Sequence, residues 1–391
     1  MTGLKAKKIT EESVSPTGIY IHIPFCRAKC HYCAFVSRVC GERTQQEYVA
    51  ALCREIAAAG GDFAVNRVDT VFFGGGTPTC LPVNNLAEIL RQIGESFRIT
   101  EDAEISIEAN PGTVNLQSLL LLRQAGFNRL SLGVQSFDDR VLSEIGRIHT
   151  AAEAGFSFTY ARQAGFDNIS LDLMYGLPSQ DLISLQYSLQ KAVALKPEHL
   201  SIYGLKLEEG TPLAKRVDAG AVLLPQEIEE EAMYDALNEY VAINGYSRYE
   251  ISNYSLPGYE CRHNIKYWTF KPYIGFGVAA HSFNRSERYA NTESIVEYIA
   301  VNNTGKSAER IRERADLSTA MGEYVFTGLR MTQGVCLIDF RNHFAQDFLQ
   351  IYAEPLLRLK KLELLNQTEQ KVFLTPLGMK LANRVFVEFL P

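Results

Sequence analysis

Three cysteines crowd one short stretch, CRAKCHYC, in the spacing C-x3-C-x2-C (Cys26, Cys30, Cys33), directly after the β-like run YIHIPF. Thiolates are ligands for soft and borderline metals, so two chemistries follow. One is a zinc site of the Cys3His type completed by His22 or His31. Structural zinc sites, however, usually clamp two separated segments, and no second C-x2-C pair is present. The other is a cubane iron–sulfur cluster in which Cys26, Cys30 and Cys33 each hold one iron and the fourth iron stays open for a coordinating molecule. The remaining five of the eight cysteines (Cys40, Cys53, Cys80, Cys261, Cys336) are scattered and read as packing residues.

A second motif, GGGTPT at 74–79, supplies backbone rather than side chains. Consecutive glycines let a ligand approach the main chain with no Cβ in the way and expose N–H donors. The stretch lacks the Lys-Ser/Thr of a P-loop, so a nucleoside triphosphate is not indicated. Beside an open cluster it suits the amino-acid end of a zwitterionic cofactor. Glu108 and Asp172 would accept hydrogen bonds from an amine and from ribose hydroxyls.

Elements must bring these residues together. To about residue 205, β-rich runs (YIHI, VDTVFFGG, AEISIEAN, RLSLGVQS, NISLDLMYG, HLSIYGLKL) alternate with helical stretches such as EYVAALCREIAAA and DLISLQYSLQKAVAL. Regular alternation implies βαβ units and a parallel sheet. Six units are too few for a closed eight-stranded barrel, so the expected fold is α/β, an incomplete (β/α)6 TIM-like barrel. In such a barrel, chemistry sits at the C-terminal ends of the strands. The cysteines follow the first strand, Gly74–Thr77 follow the second, Glu108 and Asn110 end the third, Gln135 ends the fourth, and Asp172 lies in the fifth.

The expected organisation is a polar segment 1–18, a barrel over 19–215, a barrel extension over 216–300, and a C-terminal winged-helix-like domain over 301–391, with NNTGKSAERIRER read as a linker. A winged helix invites a nucleic-acid reading, but the chain carries a net charge of -6 and no basic stripe, so no nucleic-acid partner is expected. Composition, 46% hydrophobic and 21% charged, is that of an ordinary globular protein. The N-terminal stretch MTGLKAKKITEESVSPTG has no apolar core of a secretory signal, and no run reaches the roughly 18 apolar residues of a membrane span. A cytoplasmic protein is expected, with at most peripheral membrane contact.

Within the extension, HNIKYW sets His263, Asn264, Tyr267 and the only tryptophan, Trp268, in one short segment. One reading is an aromatic cluster that packs the barrel. The other is a site for a flat macrocycle, in which His263 gives an axial nitrogen to iron and Tyr267 and Trp268 give flat apolar surface. Cys261, Arg262 and His281 lie close enough in sequence to ligate iron, pair with a propionate and line the cavity, respectively.

These motifs carry a resemblance. C-x3-C-x2-C with an aromatic, Tyr32, before its last cysteine resembles the radical S-adenosylmethionine (SAM) superfamily. YIHIPFC, GGGTPT, EANPGT, LGVQSF, LMYGLP and HNIKYW, in this order from Tyr20 towards the C-terminus, resemble the branch that holds the oxygen-independent coproporphyrinogen III oxidases and the HemW-type heme chaperones. The resemblance implies a [4Fe-4S] cluster on Cys26, Cys30 and Cys33, with the amino and carboxylate groups of SAM on the fourth iron. One electron then breaks a carbon–sulfur bond, giving methionine and a 5'-deoxyadenosyl radical. It also implies SAM contacts at Tyr20, Tyr32, Gly75, Gly76, Thr77 and Glu108, and at Gln135, Arg147 and Asp172. The oxidases carry a further cysteine two places after the third, where this chain has Phe35, and an N-terminal extension that it lacks. Both departures turn the reading from propionate decarboxylation to heme handling, with H-N-x-x-Y-W as the chaperones' heme motif. Implied partners are heme or a porphyrin, an electron donor of the flavodoxin or ferredoxin type, and heme-acceptor apoproteins such as respiratory enzymes. Turnover is not required, and a homodimer is left open.

Overall fold

The computed structural model describes residues 16–63 and 67–391, so most of the expected polar segment 1–18 lies outside the described residues. Six strands, β1 (Thr17–Ile23), β2 (Arg67–Gly75), β3 (Arg98–Ala109), β4 (Arg129–Gln135), β5 (Ile169–Tyr175) and β6 (His199–Gly204), pair in chain order, all parallel. β1 and β4 are buried along nearly their whole length, as strands covered on both faces must be. The covering helices show the matching stripe: in α2 (Val83–Ser96; α1 is Glu42–Phe63) the buried residues are Leu86, Ile89, Leu90 and Ile93, spaced for one helical face. Local signals start the later helices. Asn115 with Ser118 caps α3 (Leu116–Ala125), Asp138 begins α4 (Asp139–Glu144), and Thr150 with Glu153 caps α5 (Ala151–Gln163).

The incomplete barrel is thus as expected, but it is longer than six strands. After α6 (Leu182–Ala194), α7 (Pro212–Asp218) and α8 (Glu227–Ile243), β7 (Ser247–Arg248) and β8 (Asn253–Ser255) extend the sheet beyond β6. The short helix α9 (Arg262–Trp268) follows. β9 (Tyr273–Phe276) then returns to the opposite edge and pairs parallel with β1, and β10 (His281–Phe283), β11 (Glu287–Asn291) and β12 (Glu309–Arg314) continue antiparallel. The result is one sheet of twelve strands among the described residues.

The linker reading of NNTGKSAERIRER needs correction. Its first residues end α10 (Ile295–Asn303), and Glu309–Arg314 is the edge strand. The charged sequence misleads because β12 is exposed on nearly every residue; Arg312 is held by Glu287 and Glu309, and charge keeps such an edge from pairing further.

A second core, from Met321 to Phe389, is separate from the barrel core, so the sheet ends at Arg314, past the expected boundary at residue 300. It runs α11 (Leu317–Arg330), β13 (Val335–Cys336), further helices over 337–361, the hairpin β14 (Leu365–Gln367) and β15 (Lys371–Leu374), and terminal helices; β15 lies between β13 and β14. This is the winged-helix order. Among the described residues no helix is long and apolar enough to cross a membrane.

Candidate functional site

Two cavities adjoin on the barrel's inner side. The first, of about 380 Å³, lies at the C-terminal ends of β1 to β6 and takes in all three cysteines. Eight of the nine residues expected around SAM line it: Tyr32, Gly75, Gly76, Thr77, Glu108, Gln135, Arg147 and Asp172. Among the described residues no three His, Cys, Asp or Glu side chains converge on a single ion position. The half-buried thiols instead stand around a volume, as a multi-atom cluster needs.

The cysteine loop is held from behind. Cys26 N donates to Arg38 O at 3.1 Å, and Gly76 and Thr77 donate backbone N–H groups to Ile23 O and Phe25 O at 2.9 and 2.8 Å. A Cβ on Gly76 would stand 2.7 Å from Phe25 O and 3.1 Å from the Cys26 sulfur, so only glycine lets the β2 loop and the cysteine loop close. Gln135, a non-glycine with φ of 68°, takes a left-handed turn at a register break in β4, a strain that aims the strand's end at the cavity. Arg147 reaches the Cys30 sulfur at 3.3 Å with Nη1 and donates Nη2 to Asn110 Oδ1 and Gly133 O. Its buried Nε has no partner among the described residues.

The opposite wall is acidic. Glu108 accepts only Gly75 N–H, at 3.2 Å, while Asp172 accepts from Ser131 at 3.0 and 3.2 Å. Burial first, and the Asp172 charge second, push Glu108 up to about 8. Burial also raises Asp172, against the hydroxyls that donate to it. Two buried carboxyl groups with no salt-bridge partner among the described residues, in one cavity with three thiols, fit the amine and hydroxyls of a zwitterionic cofactor. Sequence reasoning undervalued two residues here, Asn110, which donates to Thr77 Oγ1 at 2.6 Å, and Tyr203 at the end of β6. EANPGT and the strand-end rule were the available signals.

Tyr20 is the ninth, and its side chain belongs to the other cavity. The pleat explains this. Alternate residues share a face, so Tyr20 goes with His22, to which its hydroxyl is hydrogen-bonded at 3.1 Å, whereas the cofactor wall is built from residues at strand ends.

The second cavity, of about 640 Å³, lies between the face of β1, β9 and β10, helix α9 and helix α11. It is mostly aromatic, with Tyr267, Trp268, Phe270, Tyr273 and Phe283 in its walls, and Phe35 lines both cavities. Tyr267 and Trp268 therefore stand where a flat ligand would need them. Trp268 lies under the Arg330 guanidinium at 4.3 Å, and its buried indole Nε1–H has no partner among the described residues.

His263 does not offer iron a free nitrogen. It is 1% exposed, its Nδ1 is hydrogen-bonded to Thr70 Oγ1 at 2.9 Å and its Nε2 to the Tyr267 hydroxyl at 2.8 Å. Burial, then the Lys266 and Arg129 charges, lower it to about 3. Helical spacing is the reason: residues four apart share a face, so His263 sits behind Tyr267, against β2. Asn264 lines neither cavity. Cys261 and Arg262 are corrected too. The buried Cys261 thiol, pushed up to about 12 by burial, points to Glu104 at 3.6 Å, and Arg262 donates to Asp102 O at 2.6 Å. Glu104 also accepts the Arg262 and His263 backbone N–H groups at 3.0 and 3.1 Å, which fixes the start of α9.

A parallel partial barrel with an open three-thiol loop and a glycine cradle defines a radical SAM protein. The model of the Radical SAM superfamily matches residues 20–191 and that of the HemN C-terminal domain matches 316–381. The superfamily implies a [4Fe-4S] cluster and SAM. The chain is 35% identical over 376 residues to the heme chaperone HemW of Lactococcus lactis, covering 96% of this chain and 97% of that one. It is 36% identical over 374 residues to the heme chaperone HemW of Bacillus subtilis, covering 95% and 98%. The chain belongs to the HemW family of radical SAM proteins. Among solved structures it resembles Escherichia coli coproporphyrinogen III oxidase, HemN, described as a radical SAM enzyme, with a TM-score of 0.84 and 26% identity over 96% of this chain and 90% of that one.

Proposed function

We propose that this chain is a heme chaperone, holding heme against the aromatic walls of the larger cavity and passing it to heme-requiring acceptor proteins. The observation that carries the reading is the cavity itself: an apolar cleft of about 640 Å³, walled by Tyr267 and Trp268 and touching the thiol cavity at Phe35. Its size is within the roughly 300–1,000 Å³ of small-molecule sites, and its few polar groups suit a large flat ligand with charged edges. In the same reading Cys26, Cys30 and Cys33 hold the [4Fe-4S] cluster. Gly75, Gly76, Thr77 and Glu108 receive the amino-acid end of SAM. Gln135, Arg147 and Asp172 complete its surroundings. When bound, cluster and SAM supply one-electron chemistry. The chain's residues do the rest: Arg147 places a positive charge against the cluster loop, and Glu108 holds a proton or an amine at Oε2, beside the Gly75 N–H.

Tyr267 and Trp268 form the heme-facing part of the H-N-x-x-Y-W motif, and His263, bonded to Thr70 and Tyr267, holds α9 in place behind them. The protein works in the cytoplasm on this reading, with a flavodoxin- or ferredoxin-like electron donor, respiratory enzymes among the acceptors, and at most peripheral membrane contact. The test is a titration of the purified full chain with heme, which should saturate near one equivalent and weaken in Trp268→Ala. Wild-type protein with no saturable heme spectrum overturns the reading.

A further inference from the structure

We infer that His281, at the start of β10, is the residue that ligates the iron of heme held in the aromatic cavity; the inference rests on the heme reading above. Four imidazoles stand at or beside this cavity; His343 is stacked on Tyr324 outside its lining, and two of the other three are used up. His263 is bonded at both nitrogens to Thr70 and Tyr267, and His22 at Nδ1 to the Tyr20 hydroxyl and at Nε2 to Val36 O at 2.9 Å. His22 and His263 are 6% and 1% exposed. His281 lines the same cavity, is exposed, and neither of its ring nitrogens has a hydrogen-bond partner among the described residues. A metal needs a nitrogen lone pair open to it, and only His281 presents one here.

The backbone that carries His281 is built to stay put. In β10 the pleat sends His281 and Phe283 into the cavity and Ser282 away from it, where Ser282 Oγ accepts Gly275 N–H at 2.9 Å. His281 pairs with Ala290 of β11. On the other side Gly275 has no Cβ, and one added there would run into the His281 carbonyl oxygen. Two neighbouring contacts, Ala279 N to Thr292 O at 2.8 Å and Asn291 N to Ala280 O at 3.1 Å, fasten the loop that leads into the strand. An imidazole free at its tip on a fixed strand, with Phe283 beside it and Trp268 in the same cavity, is a ligand set against aromatic surface. It also makes exchange easy: a single exposed ligand can be replaced by one from an acceptor protein, whereas a histidine buried as His263 is cannot.

The test uses the full chain with its cluster reconstituted, titrated with hemin and followed by difference absorption and electron paramagnetic resonance, in the wild type, His281→Ala and His263→Ala. His281→Ala should lose the histidine-ligation signature and at least about tenfold in affinity, and added imidazole should bring the signature back. His263→Ala should keep the signature. A wild type that saturates with heme, together with a His281→Ala variant of unchanged signature and affinity, overturns the ligand while leaving the heme reading standing. A wild type that never saturates overturns the heme reading and the ligand with it.

Discussion

The two adjoining cavities are built on opposite plans. The smaller gathers a glycine turn, thiols and a carboxyl pair from the C-terminal halves of consecutive parallel strands and the loops after them, so most contributors lie at or near the end of an element. The larger is walled by side chains from the faces of β1, β9 and β10 and from α9 and α11, which are far apart in sequence. The first plan suits a cofactor that must be held in one orientation. The second suits cargo, because broad aromatic contact binds without enclosing the ligand in fixed polar partners. Phe35 is the shared wall.

The sharpest break between them comes from Cys30→Ser, which should abolish iron and sulfide in reconstituted protein while changing heme affinity by no more than about twofold, since the sites share few contacts. Metal and sulfide analysis beside a heme titration reads both. Parallel loss of heme binding would mean one site, not two.

Glu108→Gln addresses the cofactor cavity alone. Glu108 titrates near 8 in the fold against an ordinary 4.5. Between those values the unfolded chain has lost its proton and the folded one keeps it, so wild-type stability falls as pH rises from 4.5 through 8. The variant should be more stable than wild type at pH above 8 and almost equal to it near pH 4, while binding SAM more weakly. Denaturant melts across pH check the first part and SAM titration the second.

His263→Ala moves to the other cavity's support. Losing the Thr70 and Tyr267 hydrogen bonds should cost about 1–2 kcal/mol in a denaturant melt. Phe35→Ala comes last. The side chain is 68% exposed, so stability should shift by less than about 0.5 kcal/mol, and the change to look for is easier access of SAM or heme to the neighbouring cavity by ligand titration.

The same contrast explains what the sequence disclosed. Strand-end residues are adjacent to motifs, so Cys26 to Cys33, Gly75 to Thr77, Glu108, Gln135 and Asp172 could be assembled from spacing, the strand-end rule and the family resemblance; the structure brings them around one cavity. Wall residues are chosen by pleat and register. Whether Tyr20 or its neighbours face a given side depends on which strand lies beside β1, and that strand is β9, from more than two hundred residues on. HNIKYW places His263 and Tyr267 on one helix face, but does not tell that this face seats the histidine against Thr70 of β2, with the tyrosine between it and the cavity. The exposed edge strand Glu309–Arg314 was hidden for a related reason: with no buried face, its sequence carries no alternation to read.

The central claim is that heme is cargo here and not substrate. It is tested most directly by incubating cluster-loaded protein anaerobically with SAM, reductant and heme, then adding a heme-requiring apoprotein and following the heme by absorption and by chromatography of the extracted pigment. The account predicts heme recovered with its macrocycle unaltered and moved to the acceptor. Loss or modification of the macrocycle, or heme that stays with this chain, would contradict it.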